Sequence, residues 1–147
     1  MTIIETTRFG EVEVADEAVL EFPEGLIGVP GSGYALLARH EDAAFLWLQS
    51  TEDPSFAVPV VNPWRFFGGY EVRISDADAE RVGLDGSADA DVYVTVRAAG
   101  ELEDFTANLR APILVLEGRG HQVINEVQDA PLRAPLLGDI AATRVAA

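Results

Sequence analysis

The residues able to do chemistry are few, and each cluster can be read against a known requirement. Gly28-Val29-Pro30-Gly31-Ser32-Gly33 is glycine-rich. Its spacing matches neither the dinucleotide fingerprint nor the P-loop, and no Lys-Ser/Thr follows to reach phosphates. It reads as a turn between strands. Ser32 sits between glycines but outside a Gly-x-Ser-x-Gly elbow, and the only bases for a hydrolytic triad are His40 and His121. Such a triad has to assemble in space, since the sequence does not juxtapose its members. Asp76-Ala77-Asp78-Ala79-Glu80 opens like a calcium loop, but Arg81 stands where the turn glycine belongs and Ser87 where the bidentate glutamate belongs. Acids in the first turn of a helix explain that run better. With no cysteine and two distant histidines, no thiolate nucleophile, disulfide or transition-metal site is expected. These residues point to no catalysis, no metal and no cofactor.

The elements that would position them have a period of two. Glu11-Val12-Glu13-Val14 and Asp91-Val92-Tyr93-Val94-Thr95-Val96-Arg97 alternate polar and apolar residues, as strands with one wet and one buried face do. Val92, Val94 and Val96 form the expected inward row. Residues 18–22, 34–38, 45–49, 56–61, 70–74, 113–116 and 122–127 are further short runs bounded by Gly, Pro, Asp or Asn. Ser75 to Gly83 reads as one short helix over about residues 76–82, with Ser75 as cap and Gly83 as stop. The expected fold is all-β: a small antiparallel barrel-like domain over residues 1–133, with a poorly ordered tail from 134 to 147.

The chain has 147 residues and a formal charge of −15, from 25 acids against 10 bases, all arginine. This balance argues against direct binding of nucleic acid or an anionic membrane surface, and no apolar run is long enough to span a bilayer. A cytoplasmic protein whose field attracts basic partners is expected. Seven acids against Arg8 lie in residues 1–24, and six against Arg81 in residues 76–91. From these two segments Glu11, Glu13, Glu17, Asp76, Asp78 and Glu80 are the charged candidates for partner contact. The aromatic stretch Trp64-Arg65-Phe66-Phe67 fits a strand poorly, which makes Trp64 and Phe66 candidate contact anchors.

Three ordered motifs then carry a resemblance. They are Phe9-Gly10-Glu11-Val12-Glu13-Val14 with Leu20-Glu21-Phe22-Pro23-Glu24-Gly25-Leu26-Ile27-Gly28; Phe45-Leu46-Trp47-Leu48-Gln49-Ser50-Thr51-Glu52-Asp53-Pro54 with Val60-Val61-Asn62-Pro63; and Asn108-Leu109-Arg110-Ala111-Pro112-Ile113 with Gln122-Val123-Ile124. In this order, across residues 9–124, the chain resembles the flagellar assembly factor FliW family. Ile27 and Val29 depart from the Pro and Phe usual there, Leu116 replaces a common Asn, and the Glu117–His121 loop is shorter. The resemblance implies a non-catalytic β-barrel that binds flagellin in the cytoplasm. It also implies binding to CsrA, a basic RNA-binding translational repressor, relieving its repression of flagellin mRNA. The motif residues Phe22, Gly25, Gly28, Gln49, Ser50, Asp53, Pro54, Pro63, Asn108, Pro112 and Gln122 are read as structural, through turn dihedrals and satisfied backbone groups. The competing readings are a small-ligand barrel of the flavin-binding type, which needs a basic or amide-rich phosphate site, and a hydrolase on Ser32, His40 or His121.

Overall fold

The computed structural model describes residues 1–27, 31–38, 43–83, 90–98, 100–101, 104–127 and 130–136. Alternation becomes strands along most of this length. The strands are β1 (Thr2–Thr6), β2 (Gly10–Val14), β3 (Val19–Glu21), β4 (Gly33–Leu37), β5 (Leu46–Ser50) and β6 (Ala57–Val61), then β7 (Asp91–Arg97), β8 (Thr106–Ala107), β9 (Ile113–Leu116), β10 (Arg119–Gln122) and β11 (Ala134–Pro135). One helix, α1 (Asp76–Val82), lies between β6 and β7. Its boundaries are set by local chemistry. The Ser75 hydroxyl accepts the Asp78 N–H, and Gly83 ends the helix in the left-handed region at φ +81°.

Seven strands close into a barrel in the order β7-β6-β5-β4-β3-β10-β9, with β9 returning to pair with β7. Neighbours run antiparallel except β3 and β10, which are parallel at Glu21 and Arg119. A closed ring with an odd number of strands cannot alternate direction throughout, so one parallel junction is unavoidable. Because β7 outruns β9, its C-terminal half pairs instead with β8, which carries β11 beyond the barrel.

Leu20, Phe22, Leu26, Tyr34, Leu48, Val60 and Ile113 fill the barrel interior. Outside it, the β1–β2 hairpin lays Ile4 and Val14 over Ala35 and Leu37, while α1 lays Val82 over Leu114. A further cluster gathers Val61, Phe67, Val94, Val96, Leu109 and Leu136. Strands such as β4 are therefore buried on both faces.

Several sequence expectations shift. Val92, Val94 and Val96 are covered but face away from the barrel interior, which Tyr93 enters instead. Residues 70–74 form no strand: the Asn125 side chain satisfies this backbone, accepting from the Arg73 N–H at 2.9 Å and donating to the Glu71 carbonyl at 2.8 Å. The last hairpin turns at Glu117 and Gly118, both at positive φ. Its return strand is therefore Arg119–Gln122, not residues 122–127, and the short loop is a two-residue turn of the kind that suits hairpin twist. The boundary expected after residue 133 falls early, because Ala134 pairs with Ala107 and Leu136 is fully buried. Residues 137–147 lie outside the described residues.

Candidate functional surfaces

The β1–β2 hairpin sorts its side chains by the strand period. Ile4 pairs with Val12 on the covered face, while Glu5 sits directly opposite Glu11, and Ile3 opposite Glu13, on the exposed one. Glu17 follows in the exposed 3-10 turn Asp16–Ala18. Glu5, Glu11, Glu13 and Glu17 have no ion-pair partner among the described residues. Arg8, the one base of this segment, lies over the Trp47 ring, 4.3 Å from its centroid. Like charges directly opposed across two strands oppose pairing, so this face keeps an anionic arrangement that the fold itself does not require.

The second acidic segment is arranged differently. Arg81 holds Asp78 at 2.9 Å and also pairs with Glu24 from the loop after β3. Glu24 in turn meets Nδ1 of His121 at 3.2 Å. Asp78 therefore fastens the helix, whereas Asp76 and Glu80 stay exposed. The hairpin covers the β4–β5 wall and α1 the β7–β9 wall, roughly opposite in the seven-strand ring. The two acidic segments meet where Glu24 and Asp78 share Arg81, whereas the hairpin acids lie on a different wall. Asp85 and Asp89 lie outside the described residues.

Trp64 and Phe66 also separate. Trp64 keeps 43% of its surface exposed and donates its indole N–H to the Tyr70 carbonyl at 2.8 Å. Phe66 is half-buried against Phe45, so it contributes to packing.

The motif residues hold backbone. Gln49 is fully buried, and its amide Nε2 lies 3.0–3.4 Å from the carbonyls of Ser50, Asp53, Pro54 and Phe56. Ser50 Oγ accepts the N–H groups of Glu52 and Asp53, and Asp53 accepts from Ser55. The Pro54 carbonyl takes the Thr7 N–H at 2.8 Å, tying the hairpin down. Asn62 caps the turn that begins at buried Pro63. Asn108 Oδ1 accepts the Arg110 and Ala111 N–H groups, and the Pro112 carbonyl accepts from Val123. Gln122 bridges two loops, accepting the Ile27 N–H at 2.8 Å and donating to the Ala111 carbonyl at 2.9 Å. Gly25 turns at φ +69° and donates to the Phe22 carbonyl. Phe22 itself lies against Gly120, where any Cβ would enter its ring. Gly28 lies outside the described residues.

The glycine-rich loop has its own anion. One carboxylate oxygen of Glu52 accepts the N–H groups of Ser32 and Gly33, each at 2.9 Å, and the Ser32 hydroxyl at 3.2 Å. The Ser32 N–H first, then the Gly33 N–H and the hydroxyl, hold the Glu52 carboxyl below its usual range. The Ser32 and Gly33 donors are thereby engaged. Ser32 thus meets a carboxylate, and His121 meets Glu24; the two do not bond to each other, and His40 lies outside the described residues. No group of three or more metal-ligating side chains occurs among the described residues, nor a helix long and apolar enough to cross a membrane.

One feature escaped the sequence reading. Arg97, Arg110 and Arg133 line a groove of about 550 Å³ together with Ile27, Ile124 and Leu132. These residues span more than a hundred positions of the chain. No local motif joins them; an exposed isoleucine just beyond β10 was the faint signal available.

Comparison with known proteins covers the residues that carry these motifs. The family model described as FliW protein matches residues 3–136. The flagellar assembly factor FliW of Magnetococcus marinus is 35% identical over 140 residues, covering 92% of this chain and 85% of that protein. That of Bdellovibrio bacteriovorus is 36% identical over 137 residues, covering 91% and 78%. A crystal structure of the flagellar assembly factor FliW superposes with a TM-score of 0.81 at 29% identity, covering 92% of this chain and 96% of the other. With a matching fold and a family match along residues 3–136, the chain belongs to the FliW family of flagellar assembly factors.

Proposed function

We propose that this protein acts in the cytoplasm as a protein-binding switch in flagellar assembly, engaging flagellin and antagonising the basic translational repressor CsrA. The observation that supports this reading is the outer face of the β1–β2 hairpin. Glu5, Glu11 and Glu13 stand there without an ion-pair partner among the described residues, on a chain of net charge −15. A basic partner supplies the counter-charge, is drawn in at long range and is held at short range. Once it is bound, the negative field of the domain raises the cost of bringing RNA phosphates near, without occupying the RNA site. Flagellin acts in opposition: its binding disfavours CsrA, so accumulated flagellin frees the repressor, by reciprocal coupling between the two binding events.

The test is binding of the purified chain to CsrA across a range of salt, followed by titration of flagellin into the preformed complex. Association slows and affinity falls as salt rises, E5Q/E11Q/E13Q weakens binding further, and flagellin releases CsrA. Binding indifferent to salt and to the three substitutions removes the electrostatic basis. CsrA still bound at saturating flagellin removes the switch.

A further inference from the structure

The groove lined by Arg97, Arg110 and Arg133 is chemically the inverse of the hairpin face. Its described lining includes no aspartate or glutamate, although acids outnumber bases 25 to 10 in the chain. The Arg97 and Arg133 side chains are exposed and make no ion pair or hydrogen bond among the described residues; Arg110 uses Nε on the Ala130 carbonyl at 3.2 Å. Of the six exposed large apolar side chains among the described residues, three lie here: Ile27 at 58% exposure, Ile124 at 51% and Leu132 at 51%. Phe56 and Val58 line the groove more deeply, at the end of the barrel core. Asn108 and Gln122 are also present, but the Asn108 oxygen and both ends of the Gln122 amide are engaged with backbone. They form wall, not ligand-binding groups.

The geometry points to a second docking surface, an arginine-edged apolar groove that takes a protein segment carrying acidic and large apolar side chains. Charge complementarity chooses the occupant. Free guanidinium groups beside exposed aliphatic side chains suit carboxylates interleaved with apolar anchors. Nucleic acid fits poorly: the exposed anchors are aliphatic, offering no stacking platform, and the net charge repels a phosphate chain. A basic segment, which suits the hairpin face, meets like charge here. The chain therefore presents surfaces of opposite chemistry to different partners. This inference does not depend on the identity of flagellin or CsrA as those partners.

The experiment selects binders to the full chain from a random displayed peptide library, then measures the enriched peptides by fluorescence anisotropy. The variants are R97Q/R133Q, whose side chains support no described contact, and L132S, with W64A as a variant outside the groove. Thermal melts establish that each variant is folded. Enriched peptides carry Asp or Glu with Leu, Ile, Phe or Trp. Their affinity falls roughly tenfold or more in R97Q/R133Q, through lost charge-assisted contacts, falls in L132S, and is unchanged in W64A. Enrichment of basic or uncharged peptides, or peptides indifferent to both groove variants, overturns the proposal. So does a library yielding no binder, or inorganic phosphate binding in an arginine-dependent way where no peptide does.

Discussion

Replacing Gln49 separates a structural clamp from a contact residue. Its amide donates two protons toward four carbonyls, those of Phe56 at 3.0 Å, Ser50 at 3.1 Å, Pro54 at 3.2 Å and Asp53 at 3.4 Å. Three of these carbonyls also accept a backbone N–H, from Ser50, Thr7 and Phe56, so loss of the amide leaves them half-served. Gln49→Met removes the equivalent of two hydrogen bonds, about 2 kcal/mol. It also removes Oε1, a buried acceptor with no donor, which returns about 1 kcal/mol. The net loss is about 1 kcal/mol.

Gln49→Glu behaves differently. A carboxylate at this buried site would face the negative ends of four carbonyl dipoles, so the new side chain must stay protonated. Holding a carboxyl of ordinary pKa near 4.3 protonated at pH 7 costs about 4 kcal/mol. Its folded pKa lies above its unfolded one, so the penalty grows as pH rises above the unfolded value and vanishes below it. Urea melts followed by Trp47 and Trp64 fluorescence read both variants. Gln49→Glu is less stable than Gln49→Met by about 4 kcal/mol at pH 7, which lowers its melting point by about 8–16 °C, and the gap closes toward pH 4. Equal stabilities at pH 7 refute the clamp. A Gln49→Met protein that melts normally but loses partner binding assigns the residue to an interface instead.

Further outcomes follow from the same contacts. Gly120→Ala forces a Cβ into the Phe22 ring and lowers stability by about 1–3 kcal/mol; Phe22→Leu in the same chain recovers part of that loss in a double-mutant cycle of denaturation free energies. The folded-state pKa of Glu52 is depressed by the Ser32 and Gly33 donors, so its contribution is complete at neutral pH and fades as pH falls through the carboxylate range. Glu52→Gln is accordingly less stable than the parent at pH 7, and the difference disappears in acid, as read by melting curves across pH. Ser75→Ala removes the cap on the Asp78 N–H and costs about 0.5–2 kcal/mol, measurable by denaturation. Glu11→Thr relieves the repulsion with Glu5 and raises stability by about 0.2–1 kcal/mol, while weakening binding of a basic partner in the same salt titration.

Local chemistry was legible wherever a few neighbouring residues decide it. Ser75, Asp76, Asp78 and Gly83 announce a helix whose cap and stop are found in place. Alternation at Glu11–Val14 announces a strand with an acidic face. What eluded the sequence depends on partners distant in the chain. Residues 70–74 carry strand-like types, yet Asn125, more than fifty positions away, bonds the Arg73 N–H and the Glu71 carbonyl. Thr106–Ala107 and Ala134–Pro135 are too short to show a period and are strands because β7 extends past β9. The valines of β7 showed correctly that one face is covered, but composition cannot tell a barrel interior from an outer wall beneath a helix. The groove arginines were invisible for the same reason.

The two acidic segments, alike in composition, differ in what the fold does with them. At α1, Asp78 and Glu24 converge on Arg81, so anionic charge is locally compensated and holds the helix to the barrel. At the hairpin, Glu5 and Glu11 face each other, and the one arginine nearby lies over Trp47. Compensated charge of the first kind helps to fix a structure. Uncompensated charge of the second kind opposes pairing, and it lowers the free energy of the molecule only when a cation is brought to it. Because the two walls lie roughly opposite in the barrel, a compact basic partner of the kind proposed would cover one of them and not the other. The hairpin is the wall whose charge has most to gain. Substitutions there should therefore shift stability and affinity in opposite directions, whereas substitutions at Arg81 or Asp78 should lower stability and leave affinity at the hairpin unchanged.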